Sequence, residues 1–148
     1  MGRRKKIKYY ARPGATFKQG QAQLVGETLA KMKEETKLTP DVIVSEAKKK
    51  ANPLHKFFEW NDGKAAQKYR LQQARDMIAG VTEVIIIQGT ESKQRSFFSV
   101  GNRHKSKAEY VTIREAISKK PYRDQLLTQI ISQLENLATT MKLFKEQV

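Results

Sequence analysis

Cysteine is absent. The chain can therefore form neither a disulfide framework nor a thiolate metal site, and an intracellular setting is the default expectation. No apolar run approaches the roughly 18–20 residues that a membrane span requires, so no contact with a bilayer core is expected. The N-terminus has no apolar stretch of the kind a secretory leader carries. Lys6 stands where a myristoylation signal wants Ser or Thr. Histidine occurs twice, as His55 and His104, far apart and in elements of different kinds, which excludes a recognisable metal centre. There is no Gly-x-Ser-x-Gly elbow, no Walker-type phosphate loop and no dinucleotide glycine pattern. Pro40-Asp41 followed by Glu46-Ala47-Lys48 imitates the acidic signature of a metal-dependent nuclease. These carboxylates fall within one expected helix, where Asp41 is explained by the helix dipole. The expectation is a protein that is not an enzyme and holds neither cofactor nor metal.

Acidic residues are also missing from Met1 to Lys18, a stretch that carries Arg3, Arg4, Lys5, Lys6, Lys8, Arg12 and Lys18. Those seven cations supply half of the net charge of +14 left by 29 Lys+Arg against 15 Asp+Glu. Like charges repel and little apolar surface compensates, so residues 1–15 are expected as a disordered basic arm that needs a polyanion. Nucleic acid is the commonest one. Residues 16–148 are long enough for a single domain with a real core.

Beyond the Pro13-Gly14 turn, Phe17, Leu24, Val25, Leu29 and Met32 recur at helix spacing from Thr16 to Lys37. Thr39-Pro40-Asp41 reads as an N-cap, a first-turn proline and an acid on the dipole, opening a helix that ends at Lys48-Lys49-Lys50. Asn52-Pro53 starts a short turn through Leu54, Phe57 and Phe58. A longer helix is expected from Lys64 to Ala79, closed by Gly80. The β-branched run Val81–Gln88 predicts a buried strand. Gly89–Gln94 follows as a polar turn, Arg95–Val100 as a second strand and Tyr110–Ile113 as a third. Thr112-Ile113-Arg114-Glu115 has the form of a capping box for a short helix, and a last helix covers 121–146. The fold expected is α+β: a helical N-terminal half, a small antiparallel β-sheet and a long C-terminal helix, in a winged-helix-like order.

In a winged helix-turn-helix, one helix enters the major groove while a hairpin loop touches the backbone beside it. Lys64, Lys68, Gln72 and Arg75 share one face of the expected recognition helix, with donors suited to phosphates and base edges. Arg103, Lys105 and Lys107 supply the basic loop between the second and third strands. Phe97 and Phe98 point to opposite faces of their strand, one into the core. Near the C-terminus Leu127, Ile130, Leu134, Leu137 and Met141, continued by Phe144, alternate in steps of three and four. That is a seam for a homodimer or for packing on the protein's own sheet. Leu54, Phe57, Phe58 and Trp60 form the expected apolar hinge between two helices, with Tyr69 and Leu71 packed on it and His55 as a structural hydrogen-bonding residue.

The segments Leu38-Thr39-Pro40-Asp41-Val42-Ile43, Pro53-Leu54-His55-Lys56-Phe57-Phe58-Glu59-Trp60-Asn61-Asp62, Lys64-Ala65-Ala66, Tyr69-Arg70-Leu71 and Gln73-Ala74-Arg75 together resemble a group of small uncharacterised phage and prophage proteins. The similarity runs from about Gly20 into the final helix. It implies a phage or mobile-element origin, in an early gene set for replication, recombination or regulation, and it transfers no site. A DNA-binding protein in the cytoplasm of a bacterial host is the reading expected. An adaptor or inhibitor that meets an acidic host protein is the alternative, and a virion component touching packaged genome is a third.

Overall fold

Thr39 opens a helix as its spacing predicts: its hydroxyl accepts from the Val42 amide at 3.2 Å, with Pro40 in the first turn. The computed structural model describes residues 6–63, 66–100 and 108–146. In chain order these form β1 (Tyr9–Ala11), α1 (Ala22–Glu35), α2 (Pro40–Ala47), α3 (Ala66–Gly80), β2 (Val81–Ile87), β3 (Thr90–Arg95), β4 (Phe97–Val100), β5 (Glu109–Thr112), α4 (Ile113–Ser118) and α5 (Lys120–Glu146). The fold is α+β. Two compact units divide the chain, Met1–Ile113 and Arg114–Val148.

In the first unit the helical periodicity builds the core directly. Val25, Leu29 and Met32 of α1, Ile43 and Ala47 of α2, and Ala74, Met77 and Ile78 of α3 are buried. Leu38, Leu54, Phe58, Val81, Phe97 and Tyr110 close the same cluster. Each large aliphatic side chain buried in this way contributes about 1.5–3 kcal/mol. The hinge between α2 and α3 is a 3-10 turn at His55–Phe57, set by the Asn52 side chain, which accepts from the Leu54 amide at 2.9 Å. His55 Nδ1 lies 2.8 Å from the Ala47 carbonyl at the end of α2, and its ring stacks on Trp60 at 5.0 Å. Arg70, almost wholly buried, donates through Nε to the Glu59 carbonyl at 2.8 Å and lies over the Trp60 ring. Tyr69, expected to pack here, is instead 56% exposed, because the α3 residue that turns inward at this level is Arg70.

Several sequence expectations are corrected. The disordered arm expected over 1–15 yields β1, which pairs antiparallel with β2 in the register Tyr9↔Glu83, Tyr10↔Thr82 and Ala11↔Val81. The reason is its alternation: Ile7, Tyr9 and Ala11 pack on the core, which offsets the charge repulsion that the composition alone suggested. The expected polar turn at Gly89–Gln94 is mostly strand β3. Only Gln88 and Gly89 form the turn, both with positive φ (51° and 78°), the primed geometry that two-residue hairpins require. The expected buried strand is buried only over Val81–Glu83; Ile86 and Ile87 are 69% and 54% exposed.

The strand expected over Arg95–Val100 is divided at Ser96, whose amide donates to Val81 while its carbonyl accepts from Ile113. This switches the chain from the sheet β1-β2-β3 to the separate pair β4-β5. The pair is joined to the helical part through a bridge between Leu38 and Tyr110. Residues 36–39 join α1 to α2, whereas the longer stretch 48–63 lies between α2 and the described start of α3, so α2 and the expected recognition helix are not joined by a tight turn. In the second unit α4 ends at Ser118 and α5 runs on from Lys120. The Arg123 guanidinium donates to the Ile117 carbonyl at 3.1 Å.

Candidate nucleic-acid interface

Residues 7–12 read Ile-Lys-Tyr-Tyr-Ala-Arg. In an extended chain this puts Ile7, Tyr9 and Ala11 on one side and Lys8, Tyr10 and Arg12 on the other. The inward side is fixed on α1 by an unusually close approach. A Cβ at Gly26 would lie 2.2 Å from Tyr9 Cγ, so only glycine lets that ring rest on the helix. The free edge of β1 is satisfied by glutamines. Tyr9 N donates to Gln23 Oε1 at 2.9 Å while Gln23 Nε2 donates to the Ile7 carbonyl at 2.8 Å, a side-chain amide taking the place of a neighbouring strand's peptide. Ala11 N donates likewise to Gln19 Oε1 at 2.8 Å. These contacts hold the arm's outward stripe in register on the sheet.

Across β2 the same face continues. Tyr10, Thr82 and Arg95 form one row of paired residues, and Val84 pairs with Lys93 in the next. The Lys93 ammonium lies 4.6 Å from the Tyr10 ring centroid, a cation–π contact worth about 0.5–1 kcal/mol at an exposed site. The outer face of the sheet thus gathers Lys8, Arg12 and Lys93 around Tyr10 and Val84, while Arg95, half-buried with its Nε out of contact with water, stands at the covered end of the row beside buried Thr82. At the strand's end the Arg12 amide donates a hydrogen bond to the Gly80 carbonyl at 2.8 Å, next to a turn in which the Ala15 amide donates to the Arg12 carbonyl. Cations on a firm surface suit a phosphodiester chain, and an aromatic ring among them suits a base.

The residues singled out from the sequence fall into three groups. Arg3, Arg4, Lys5, Lys64, Arg103, Lys105 and Lys107 lie outside the described residues. Lys6, Lys8 and Arg12 are exposed beside or on the sheet, with Lys6 3.2 Å from Glu27 of α1. The Glu27 carboxyl is held below its usual range, first by the Gln23 amide and then by Lys6. On α3 Lys68 is exposed, Gln72 donates to Asp76 at 2.8 Å, and Arg75 is half-buried with its Nε out of contact with water. Of the row expected as a recognition face, Lys68 is thus open to solvent, Arg75 is partly covered, and an acid sits beside the Gln72 amide.

Phe97 is the phenylalanine in the core, 1% exposed, and Phe98 is half-buried. Leu127, Ile130, Leu134, Leu137 and Met141 are 46–61% exposed, with Phe144 at 72%. Among the described residues no group of three or more His, Asp or Glu is arranged to hold a metal, and no helix is long and apolar enough to cross a membrane.

The sequence reading missed Tyr10, Lys93 and Arg95. The signal was present in the alternation of residues 7–12, but the density of charge there drew the reading toward disorder. The polar composition of Thr90–Arg95 hid a strand that is exposed at Thr90, Glu91 and Lys93 and half-buried at Ser92, Gln94 and Arg95. Set against family models, curated proteins and solved structures, the chain matches none of them.

Proposed function

We propose that this protein binds nucleic acid, most simply DNA, without catalysing a reaction, and that the outer face of the β1-β2-β3 sheet with the arm leading into it is the contact surface. One observation carries the reading. The basic segment 7–12, with β1 at its centre, packs Ile7, Tyr9 and Ala11 on the core and turns Lys8, Tyr10 and Arg12 to the other side, with Lys93 of β3 over the Tyr10 ring. A solubilising tail has no need of such an ordered register, whereas a surface that follows a polyanion gains from it. The chain's net charge of +14 supports the same conclusion, and a phage or mobile-element protein acting in a bacterial cytoplasm fits it.

The test is to replace Lys8, Arg12 and Lys93 together with alanine. Each lost phosphate contact should reduce the slope of log affinity against log salt by about 0.9 on duplex DNA. Lys48→Ala with Lys49→Ala and Lys50→Ala removes equal charge elsewhere and should leave affinity within a few-fold. Equal losses in the two triple variants would reduce the face to bulk charge and defeat the assignment.

A second reading rests on a different feature. Val84, Ile86 and Ile87 are exposed at the hairpin end, and β1 pairs with β2 only over Val81–Glu83. From Val84 onward that edge has no strand beside it among the described residues. An apolar open edge suits strand addition by a partner protein, as an adaptor that engages a host factor would need. Ile86→Lys with Ile87→Lys should abolish such a complex while leaving nucleic-acid affinity unchanged or raised.

A further inference from the structure

We infer that α5 is the surface through which one copy of this chain binds a second copy. The argument begins with charge. Base is spread through the whole chain, 29 Lys+Arg in 148 residues, yet none occurs between Arg123 and Lys142. Over that stretch the acids are Asp124 and Glu135. Two strongly basic copies repel each other over most of their surfaces. Here they can approach without repulsion, and here a polyanion has little to hold.

The same stretch is the apolar one. With Leu127, Leu134 and Met141 at one heptad position and Ile130, Leu137 and Phe144 at the other core position, the 3-4 spacing is maintained across the helix. Of the flanking positions of the heptad, Leu126, Ile131, Gln133, Ala138 and Thr140 carry no charge, and Lys145 at the C-terminal end is the one that does. The five uncharged positions widen the seam and place no like-charge pair across a twofold axis.

None of the residues of α5 is buried. Twenty-seven residues make a rod about 40 Å long. Six seam residues and Ile131, each between 46% and 72% exposed, offer on the order of 700–800 Å² per copy, close to one partner's share of a standard interface, about 800 Å².

Helix energetics point the same way. The helix contains Thr128, Ile130, Ile131, Thr139 and Thr140, all β-branched and all below alanine in helix propensity. The hydroxyls of Thr128, Thr139 and Thr140 donate back to the carbonyls of Asp124, Glu135 and Asn136, contacts that weaken helices slightly. Isolated helices are marginal in water even with better sequences, and most helical stability comes from packing an apolar face. A second α5 supplies that face with matched charge, length and spacing. Pairing also brings two basic surfaces onto one polyanion and raises avidity through effective concentration. The association itself needs no nucleic acid.

The test is the mass of the full chain by sedimentation equilibrium, after nuclease treatment and in 0.5 M salt, so that bridging nucleic acid contributes nothing. At tens of micromolar the native chain should show at least twice its single-chain mass of 17.0 kDa. Leu134→Glu with Leu137→Glu should return it to the single-chain mass and lower the helical circular dichroism. Trp60 fluorescence reports whether the first unit keeps its fold. Thr128→Ala with Thr139→Ala, which raises helix propensity off the seam, should keep the associated mass. A single-chain mass for the native protein at 100 micromolar, or an associated mass that survives the double glutamate change, overturns the inference. Because no nucleic acid is present, either result is independent of the proposed binding activity.

Discussion

Gly26→Ala offers a test in which local and tertiary effects have opposite signs. In an exposed helix interior, alanine is favoured over glycine by about 1 kcal/mol. In α1 the added Cβ would meet Cγ, Cδ2 and Cδ1 of Tyr9 at 2.2, 2.5 and 2.7 Å. The ring must shift by more than an ångström, yet Tyr9 is 8% exposed and its backbone is held by β2 on one side and Gln23 on the other.

Overpacking of this kind costs about 1–3 kcal/mol. Expelling the ring costs about the same, through lost burial. The net expectation is destabilisation by about 1–2 kcal/mol where a free helix would gain about 1. Urea unfolding followed by Trp60 fluorescence measures it. Gly20→Ala, with nothing within 4 Å of the new Cβ, is the control and should change stability by less than about 0.5 kcal/mol. A stabilised Gly26→Ala protein would refute the claim that β1 is seated on α1. The same variant should also bind nucleic acid more weakly, since Lys8 and Arg12 lose their fixed register.

Arg70→Met should cost about 2–3 kcal/mol, because it strips a buried guanidinium from the carbonyls of Glu59 and Asn61. Asp62→Asn should cost under about 0.5 kcal/mol, since that carboxylate is 94% exposed; chemical denaturation separates the two. Gly89→Ala forces a side chain into a φ of 78° and should lower the melting temperature by an amount equivalent to about 1 kcal/mol. The Glu27 carboxyl has its folded value depressed, so its contribution is present above the usual carboxylate range and is lost as pH falls through the depressed value. An NMR titration should show Lys6 shifts following Glu27 as pH falls below the usual carboxylate range and staying flat above that range.

Local signals with a mechanism were legible from the sequence. The Thr39 cap, the Asn52 turn, the helical stripe of α1 and the structural role of His55 follow from side chains acting on nearby backbone, and the structure has each of them. What could not be read was how strands divide their faces. Val84 to Ile87 look like core in isolation, but only Val81–Glu83 receive cover from the helical body, so the outer half of the hairpin is exposed. Thr90–Arg95 looks like loop because both its faces are polar, and its strand character is supplied by pairing with β2.

The candidate site was half legible for the same reason. The basic arm was visible by composition, while its continuation to Lys93 and Arg95 depends on a register that no local pattern encodes. Along α3, helical spacing gives a shared face but not how far each residue of it is covered. Arg70 and Arg75 are covered to different depths.

Nucleic-acid affinity and its salt dependence test the central claim most directly. Fluorescence anisotropy with duplex DNA, single-stranded DNA and RNA of equal length, each at 50 and 200 mM salt, gives both. With about 6–8 phosphates neutralised, affinity for the preferred form should fall by about 10³-fold or more across that range. A salt slope near zero, or weak and equal binding to all three, would contradict the account and turn attention to a protein partner.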